Sequence, residues 1–225
     1  MRTFAFGDIH GCITALRAIL EHIRPTSQDR LVFLGDYVDR GPDSFAVLET
    51  VRELHKRGQA VCVRGNHEEM MLSAQAGGPD LAFWLQVGGA AALESYEKQT
   101  GVLQVAPQHL QFVEEGCVDY FEDDTHIFVH ASIDPTLPLE LQSVATLRWQ
   151  RFRDPDPHFS GKTLVAGHTS QKNGVPRDIG HAICIDTYCY GGQWLTCLET
   201  RTGAMVQANE RGDLRALVSR SETNG

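Results

Sequence analysis

The sequence lacks the long apolar run that a membrane span requires. A transmembrane helix needs about 20 consecutive apolar residues, and no run in the chain approaches that length. A signal-peptide pattern is also missing, because Met1 and Arg2 lead directly into the strand-like segment Thr3–Phe6. We therefore expect a soluble, cytoplasmic protein.

Basic stretches are scarce. The chain has 29 acidic and 20 basic residues, a formal net charge of -9, and no run rich in lysine or arginine. Nucleic acids and anionic membranes are polyanions, so this balance argues against either as a partner. Any recognition of phosphate must therefore depend on a few local cations.

Paired cysteines are absent as well. Six cysteines are scattered singly without a C-x-x-C pair, which argues against a disulfide framework and against a thiolate zinc site. Several lie inside apolar, strand-like segments, where reduced cysteine is a common core residue. We expect reduced, buried side chains at Cys12, Cys62, Cys117, Cys184, Cys189 and Cys197.

The chain does contain a repeated alternation of short apolar runs with helical patterns. The runs Thr3–Phe6, Leu31–Leu34 and Ala60–Val63 are separated by the amphipathic segments Cys12–Ile23 and Phe45–Leu54. This order predicts a βαβαβ unit and therefore a parallel sheet with right-handed crossovers. The length of 225 residues and the 42% hydrophobic content suit one well-cored domain.

The remainder of the chain predicts a helical insertion followed by more strands. Residues 69–125 lack clear strand patterns, and we expect them to form a helical insertion over the site. Residues 211–225 are typical of a short helix and a frayed tail, which leaves a single domain over residues 1–210. The later strands are expected at Ile127–Val129, Thr163–Ala166, Ala182–Ile185, Trp194–Leu198 and Ala204–Gln207.

Polar side chains follow strand after strand at the point where each strand ends. In an open α/β sheet the carboxyl ends of the strands form the edge where ligands bind, so these side chains should meet at one rim. They are Asp8 and His10 after the first strand, Asp36 after the second, Asn66 and His67 after the third, and His130 and His168 after the next two.

These side chains are typical of a two-metal site. Carboxylate, imidazole and amide oxygen suit Mn, Fe, Zn or Mg, and no thiolate is among them. We expect two divalent ions, with Asp36 as the carboxylate that is able to bridge both. The first ion would be held by Asp8, His10 and Asp36, and the second by Asn66, His130 and His168.

Each motif taken alone also has an ordinary structural explanation. A GD turn after a strand is common, and a single histidine is usually a surface or core residue. However, "GDIHG" (7–11), "GDYVDRG" (35–41) and "GNHE" (65–68) occur in this order, each behind an apolar strand, and coincidence explains such a set poorly. Five histidines lack this context and are assigned no role: His22, His55, His109, His126 and His158.

The three motifs resemble the signature GDxHG, GDxVDRG, GNHE of the phosphoprotein phosphatases, a branch of the calcineurin-like metallophosphoesterases. The resemblance covers residues 3–198 and is nearest to compact bacterial and phage members, which include protein phosphatases and symmetrical diadenosine tetraphosphate hydrolases. Supporting segments are "WLQVGG" (84–89), "WQR" (149–151) and "IDT" followed by "YGG" (185–192). The family implies an α/β fold, a β-sandwich flanked by helices, with a dinuclear metal centre.

The resemblance also implies roles for individual residues. It makes the six residues named above the metal ligands, with Mn²⁺ the expected ion and a hydroxide that bridges the two ions as the direct nucleophile. It makes His67 the general acid, with its ring oriented by Asp39. Arg40, Arg64 and Arg151 would bind the phosphoryl oxygens.

Two positions depart from patterns in the wider family. Ser170 stands where many relatives outside this branch carry a second histidine ligand, which leaves the first ion with three protein ligands. His181 is a poor substitute, because it begins a strand whereas the expected ligands follow theirs. Tyr188 stands where bacterial relatives usually have glycine, and it changes the expected pocket wall.

Three functions are consistent with these patterns. The favoured one is a metal-dependent phosphomonoesterase that hydrolyses phosphoserine and phosphothreonine in proteins. The second is hydrolysis of diadenosine tetraphosphate by the same mechanism, so the partner is either a phosphoprotein or a phosphorylated small molecule. The third, a non-catalytic binding module, is disfavoured because the ligands, the acid and the arginines are all present.

Overall fold

The computed structural model describes residues 1–217. Its α-helices are α1 (Ile13–Ile23), α2 (Ser44–Lys56), α3 (Asn66–Ser73), α4 (Gly78–Trp84), α5 (Ala90–Thr100), α6 (Pro107–Gln111) and α7 (Val144–Trp149). Its strands are β1 (Thr3–Phe6), β2 (Arg30–Phe33), β3 (Ala60–Cys62), β4 (Tyr120–Glu122), β5 (His126–Val129), β6 (Thr163–Ala166), β7 (Arg177–Asp178), β8 (Ala182–Cys184), β9 (Leu195–Glu199), β10 (Met205–Ala208) and β11 (Leu214–Leu217).

The strands of residues 1–217 form two sheets. The first has the order β11-β10-β9-β1-β2-β3. In it β1, β2 and β3 are parallel, as the βαβαβ pattern predicts, and β9, β10 and β11 pair antiparallel with their neighbours. The second has the order β4-β5-β6-β8-β7, with a parallel centre and antiparallel edge strands.

Both faces of the central strands are buried, which explains their continuous apolar sequence. In β1, Phe4 and Phe6 pack in a cluster with residues of α1 and α2, whereas Ala5 faces the opposite way. Ala5 shares a second cluster with Phe128 of β5, and this cluster lies between the two sheets. The layers are helix, sheet, sheet and helix, so the expected β-sandwich flanked by helices is confirmed.

The insertion is mainly helical but not free of strands. Helices α4, α5 and α6 lie within residues 69–125, as expected, yet the segment also contains β4. The expectation that it lacks strands is therefore wrong at Tyr120–Glu122. Three residues are too few to show an alternating pattern, and pairing with β5 decides their conformation. Neither α7 nor β7 was expected from the sequence.

The helix expected within residues 211–225 is also wrong where the structure describes it. Leu214–Leu217 forms β11, which pairs antiparallel with β10. Its inward residues are Arg215 and Leu217, and Arg215 donates hydrogen bonds to Gln207 Oε1 and to the carbonyl of Gly174, both at 2.7 Å. Apolar alternation is therefore missing from the strand. Residues 218–225 lie outside the described residues, and the domain limits stay a prediction.

All six cysteines are buried and free of disulfides, as expected. Within residues 1–217, no helix has the length and apolar character that crossing a membrane requires, and the longest, α2, has 13 residues.

Candidate metal centre

The loops that follow the strands are tied together by hydrogen bonds. The backbone N–H groups of Ile9 and His10 donate to the carbonyl of Asp36 at 3.1 and 2.8 Å, which joins the loop after β1 to the loop after β2. The backbone N–H of His168 donates to both carboxylate oxygens of Asp8, at 3.1 and 3.0 Å. Strands of both sheets thus deliver their terminal loops to one rim.

Two glycines allow these loops to approach each other closely. A Cβ atom on Gly65 would lie 2.2 Å from Asp36 Oδ1, and one on Gly167 would lie 2.1 Å from Asp8 Oδ1. Both distances are far below a normal van der Waals contact. Any larger residue at either position would therefore displace a carboxylate of the site.

The donor atoms gather in two groups that share Asp36. His10, Asp36 and His67 form one group, and Asp36, His130 and His168 form the other, with donor atoms of each group within 4.8 Å of one another. Asp36 Oδ2 lies 3.4 Å from His10 Nε2, and Asp36 Oδ1 lies 3.4 Å from His130 Nε2. One oxygen of Asp36 therefore faces each group, which is the geometry expected of a bridging carboxylate.

The surroundings of Asn66 fit a cation. Asn66 Oδ1 lies 2.9 Å from both His130 Nε2 and His168 Nδ1. The other ring nitrogens face the carbonyls of Leu34 at 2.8 Å and Trp149 at 3.1 Å, so each neutral ring uses its N–H there. With the Asn66 amide in this orientation, three acceptor atoms face one another, and a divalent cation among them would satisfy all three.

Burial keeps the histidines in the neutral form that binds metal. It lowers the pKa of His130 to about 4. It also lowers the pKa of His10 well below the ordinary value and lowers the pKa of His168. Each ring therefore offers an unprotonated nitrogen at neutral pH, and a metal ion does not have to displace a proton.

Buried carboxylates provide a further reason for a cation at this site. Asp8, Asp36 and Asp186 are each at most 3% exposed. Burial, followed by the charges of Asp186 and Asp36, raises the pKa of Asp8 well above its usual range, and burial raises the pKa of Asp186 to about 6. Divalent cations would favour the ionised forms. The donor set of carboxylate, imidazole and amide, without thiolate, therefore fits Mn, Fe, Zn or Mg.

His67 is held beside these groups by Asp39 and Trp84. His67 Nδ1 lies 2.6 Å from Asp39 Oδ2, and Trp84 Nε1 donates to both oxygens of Asp39 at 3.0 Å. Burial alone would lower the pKa of His67, but the carboxylates of Asp36 and Asp39 outweigh it and raise that pKa above its ordinary value. The contact of Trp84 with Asp39 was not predicted from the sequence, although "WLQVGG" (84–89) contains this tryptophan.

Glu68 is a second residue whose contribution was missed. It is fully buried, and its carboxylate accepts the backbone N–H groups of Asp36, Tyr37 and Val38 at 2.8, 2.7 and 3.3 Å. It also accepts the N–H of Gly65 at 2.9 Å. The last residue of "GNHE" thus fastens its own loop to "GDYVDRG", and its place in the motif was the signal for this role.

The three arginines expected to bind phosphate differ in their surroundings. Arg40 is exposed, and its NH1 lies 2.9 Å from His10 Nε2. Arg64 is half-buried and donates from NH2 to the carbonyl of Glu114 at 2.6 Å. Arg151 is exposed and lines a cavity beside the rim. Arg40 also donates from Nε to the carbonyl of Val87 at 3.3 Å, so Arg40 and Arg64 are both partly occupied by the insertion, whereas Arg151 is open to an anion.

The structure also shows the surroundings of the three residues at which the sequence departs from family patterns or offers a substitute ligand. Ser170 Oγ donates to Asp186 Oδ2 at 2.7 Å, and His181 Nε2 faces the carbonyl of Pro155 at 2.8 Å, away from the two donor groups. Tyr188 has a left-handed backbone with φ 62°, where glycine is favoured. The remaining histidines lie outside both donor groups, as expected: His22, His55, His109, His126 and His158.

Residues 1–192 match the model of a protein family described as "Calcineurin-like phosphoesterase". The chain is a calcineurin-like metallophosphoesterase. Members of this family are hydrolases that use a dinuclear centre of divalent metal ions. The carboxylate of Asp36, with His10 on one side and with His130 and His168 on the other, is the candidate for that centre in this metallophosphoesterase.

Two curated relatives of the metallophosphoesterase have different substrates in their names. The chain is 34% identical over 150 residues to serine/threonine-protein phosphatase 1 of Salmonella typhimurium, covering 64% of this chain and 61% of that protein. It is 47% identical over 77 residues to the symmetrical bis(5'-nucleosyl)-tetraphosphatase of Pseudomonas entomophila, covering 33% and 26%. The matches thus span less than two thirds of either relative, and they do not single out a substrate.

A solved structure supports the same fold. The crystal structure of a candidate diadenosine tetraphosphatase superposes on the metallophosphoesterase with a TM-score of 0.69, covering 92% of each chain. The two sequences are 23% identical. This likeness shows a shared fold.

Proposed function

We propose that this metallophosphoesterase hydrolyses phosphomonoesters, with phosphoserine and phosphothreonine of proteins as its substrates. The observation that carries the proposal is the contact of His67 with Asp39 beside the shared carboxylate Asp36. Serine and threonine leave as alkoxides, which are strongly basic and need a proton during the reaction. A histidine whose ring is oriented by Asp39 beside the donor groups is suited to supply that proton.

Six residues are proposed as metal ligands because they lie in or next to the loops that meet at the rim. When bound there, two divalent cations lower the pKa of water toward about 7 and so provide a nucleophile at neutral pH. Asp36 is the proposed shared ligand, and its support is that one of its oxygens faces each donor group. Mn²⁺ is the proposed ion. The proposed ligands are Asp8, His10, Asp36, Asn66, His130 and His168.

Arginines are proposed to hold the phosphoryl group. The planar guanidinium of Arg40 and that of Arg151 present paired N–H donors that match phosphoryl oxygens. Both side chains are exposed at the rim. Arg64 would be a third contact, made with the part of its guanidinium that Glu114 does not occupy. Together they neutralise the substrate in a protein whose net charge is negative.

His67 is proposed to complete the reaction as the general acid. Its Nδ1–H is directed to Asp39, which leaves Nε2 to carry the proton that is transferred to the departing oxygen. After the transfer the ring is neutral and keeps the same tautomer. Asp39 and Trp84 thus orient the ring, and no covalent phosphoenzyme is required.

Diadenosine tetraphosphate is the second candidate substrate. A cavity of about 490 Å³ next to the rim is lined by Arg151 and Arg153, and it has room for more than one phosphoryl group. The leaving group of a polyphosphate is a phosphate oxygen, which departs as a weakly basic anion. Such a substrate therefore depends less on an acid such as His67.

Turnover of a phosphoserine peptide and of diadenosine tetraphosphate, measured side by side on Mn²⁺-loaded protein, tests the proposal. We expect the higher kcat/KM for the peptide, and a larger loss for the peptide than for the tetraphosphate in His67→Asn. A higher kcat/KM for the tetraphosphate would favour the second candidate. If protein with two bound ions hydrolyses neither compound, both candidates are wrong.

A further inference from the structure

The cavity beside the rim is lined by two arginines, Arg151 and Arg153, of which only Arg151 is proposed to bind the reacting phosphoryl group. Its volume of about 490 Å³ is within the range of small-ligand sites, about 300–1,000 Å³. It adjoins the proposed ligands, because the carbonyl of Trp149 contacts His168 Nε2 at 3.1 Å and Ser132 follows His130 by two positions. Its lining consists of Ser132, Trp149, Gln150, Arg151, Arg153 and Pro155.

The burial of Phe152 places both arginines on the same side. Phe152 is 6% exposed and packs in the cluster under the second sheet, and its N–H donates to Thr169 Oγ1 at 2.8 Å. With this side chain turned inward, the neighbours Arg151 and Arg153 turn outward, and both line the cavity. In an extended segment, residues two apart are separated by about 6.6 Å.

Neither arginine is neutralised by the protein itself. Across residues 1–217, no carboxylate lies within 4.0 Å of Arg151 or Arg153. The neighbouring cations differ in this respect, because Arg148 is paired with Asp119 and Glu69. Two uncompensated guanidiniums in a protein of net charge -9 make this cavity a local site for anions.

Trp149 gives the cavity a fixed wall. Trp149 is 40% exposed, and its Nε1 donates to Glu69 Oε2 at 3.3 Å, which holds the indole at the end of α7. An exposed, positioned indole provides apolar area for the backbone of a bound peptide at little cost in conformational entropy.

We propose that Arg153, with Trp149, forms a second anion subsite. It takes an acidic or phosphorylated side chain that lies two residues from the phosphorylated residue being hydrolysed. In an extended peptide the two anionic residues are about 6.6 Å apart, and Arg151 and Arg153 are likewise two residues apart and line one cavity. Arg151 then contacts the reacting group and Arg153 the second one. The inference rests on the proposed phosphoprotein phosphatase function.

Three phosphoserine peptides test this subsite. They share one sequence and carry alanine at both positions two residues from phosphoserine, aspartate before it, or aspartate after it. With Mn²⁺-loaded wild-type protein we expect kcat/KM to be about 5- to 30-fold higher for one acidic peptide than for the neutral one. In Arg153→Ala this ratio should fall to about one, and Arg153→Lys should keep part of it, because the charge remains without the planar fork.

Lys172→Ala is the matched control. Lys172 is an exposed cation on another loop near the site, 5.7 Å from the ring centre of Tyr188. Its removal should leave the ratio of acidic to neutral peptide as in the wild type. An unchanged ratio in Arg153→Ala, a loss in Lys172→Ala instead, or an Arg153 effect on diadenosine tetraphosphate alone overturns the subsite. If the wild type turns over no phosphopeptide at all, the proposed function itself has failed.

Discussion

His67 Nδ1 lies 2.6 Å from Asp39 Oδ2, and the partners are 28 residues apart in sequence. Both side chains are buried, and Trp84 donates to both oxygens of the same carboxylate. The ring is therefore restrained at Nδ1 while Nε2 remains on the side of Asp36, 4.0 Å from Oδ2. The loop "GDYVDRG" thus supplies one aspartate, Asp36, to both donor groups and another, Asp39, to the proposed acid.

His67→Asn separates metal binding from proton transfer. We expect two ions per chain to be retained, because Asn66 and not His67 is the proposed ligand. Turnover of a phosphoserine peptide should fall by about 10²- to 10⁴-fold as general acid catalysis is lost. The loss should be smaller for p-nitrophenyl phosphate, whose leaving group hardly needs a proton. A variant that binds only one ion, by metal analysis, would show that the role is wrongly assigned.

Removal of divalent ions should abolish activity. The proposed ligands offer nitrogen and oxygen without thiolate, so availability decides which ion binds, and Mn²⁺ is expected to restore turnover most fully. The measurement is p-nitrophenyl phosphate hydrolysis after exhaustive chelation and after addition of each ion, with metal content determined on the same samples. Full activity in protein shown to be free of metal would contradict a metal-dependent mechanism.

Arg151→Ala should weaken the grip on the phosphoryl group while leaving the fold intact. The lost charge-assisted hydrogen bonds are worth roughly 1.5–3 kcal/mol, which corresponds to a fall in kcat/KM of about 10- to 150-fold. Inhibition by inorganic phosphate should weaken in parallel. Arg201→Ala, at a side chain that is 74% exposed, is the control and should behave like the wild type. Phosphate inhibition as strong as in the wild type would place the role elsewhere.

Arg148→Ala should lower the stability of the fold, in contrast to Arg151→Ala, which should lower activity. Arg148 is 7% exposed and pairs with Asp119 and Glu69, so it links α7 to α3 and to the residue that precedes β4. We expect the free energy of unfolding to fall by about 1–3 kcal/mol, through lost ion pairs and lost packing of the side-chain stem. Urea denaturation of Arg148→Ala and Arg151→Ala in parallel checks this. Equal stability of the two variants would contradict the distinction.

Asp29→Asn should lower stability in a pH-dependent way. Arg2 donates from Nε and NH2 to Asp29 at 3.0 and 2.6 Å, which holds the pKa of this carboxyl well below its usual range. A depressed folded-state pKa contributes stability above about pH 4 that is lost as pH falls below the unfolded-state pKa.

For Asp29→Asn we therefore expect the free energy of unfolding to fall by about 1–2 kcal/mol at pH 7, since Arg2 is partly exposed and water screens the pair. The difference from the wild type should shrink as pH falls from 4 toward about 2. Denaturation of metal-free protein across this range measures it. A difference that stays constant with pH would show that the ionised carboxylate is not the cause.

Much of the fold is determined by local sequence alone. Residues buried on both faces of a sheet must be apolar at consecutive positions, so β1, β2 and β6 were visible as short apolar runs. Residues that follow such strands lie at the same edge for topological reasons. For this reason Asp36, Asn66 and His130 could be predicted to lie together, although their roles as ligands stay predictions.

Contacts between residues that are far apart in sequence were determined only by the tertiary structure. Trp84 reaches Asp39 across 45 positions, and Glu68 reaches Tyr37 across 31, and neither contact leaves a periodic signal along the chain. The conformation of Leu214–Leu217 likewise follows from pairing with β10 and not from its own pattern. Arg148 and Arg151 are similar in sequence context, yet the first is buried in ion pairs and the second lines a cavity. Hydrophobic periodicity predicts which face of a segment is buried. It does not predict which other segment packs against that face, because that contact forms only in the tertiary structure.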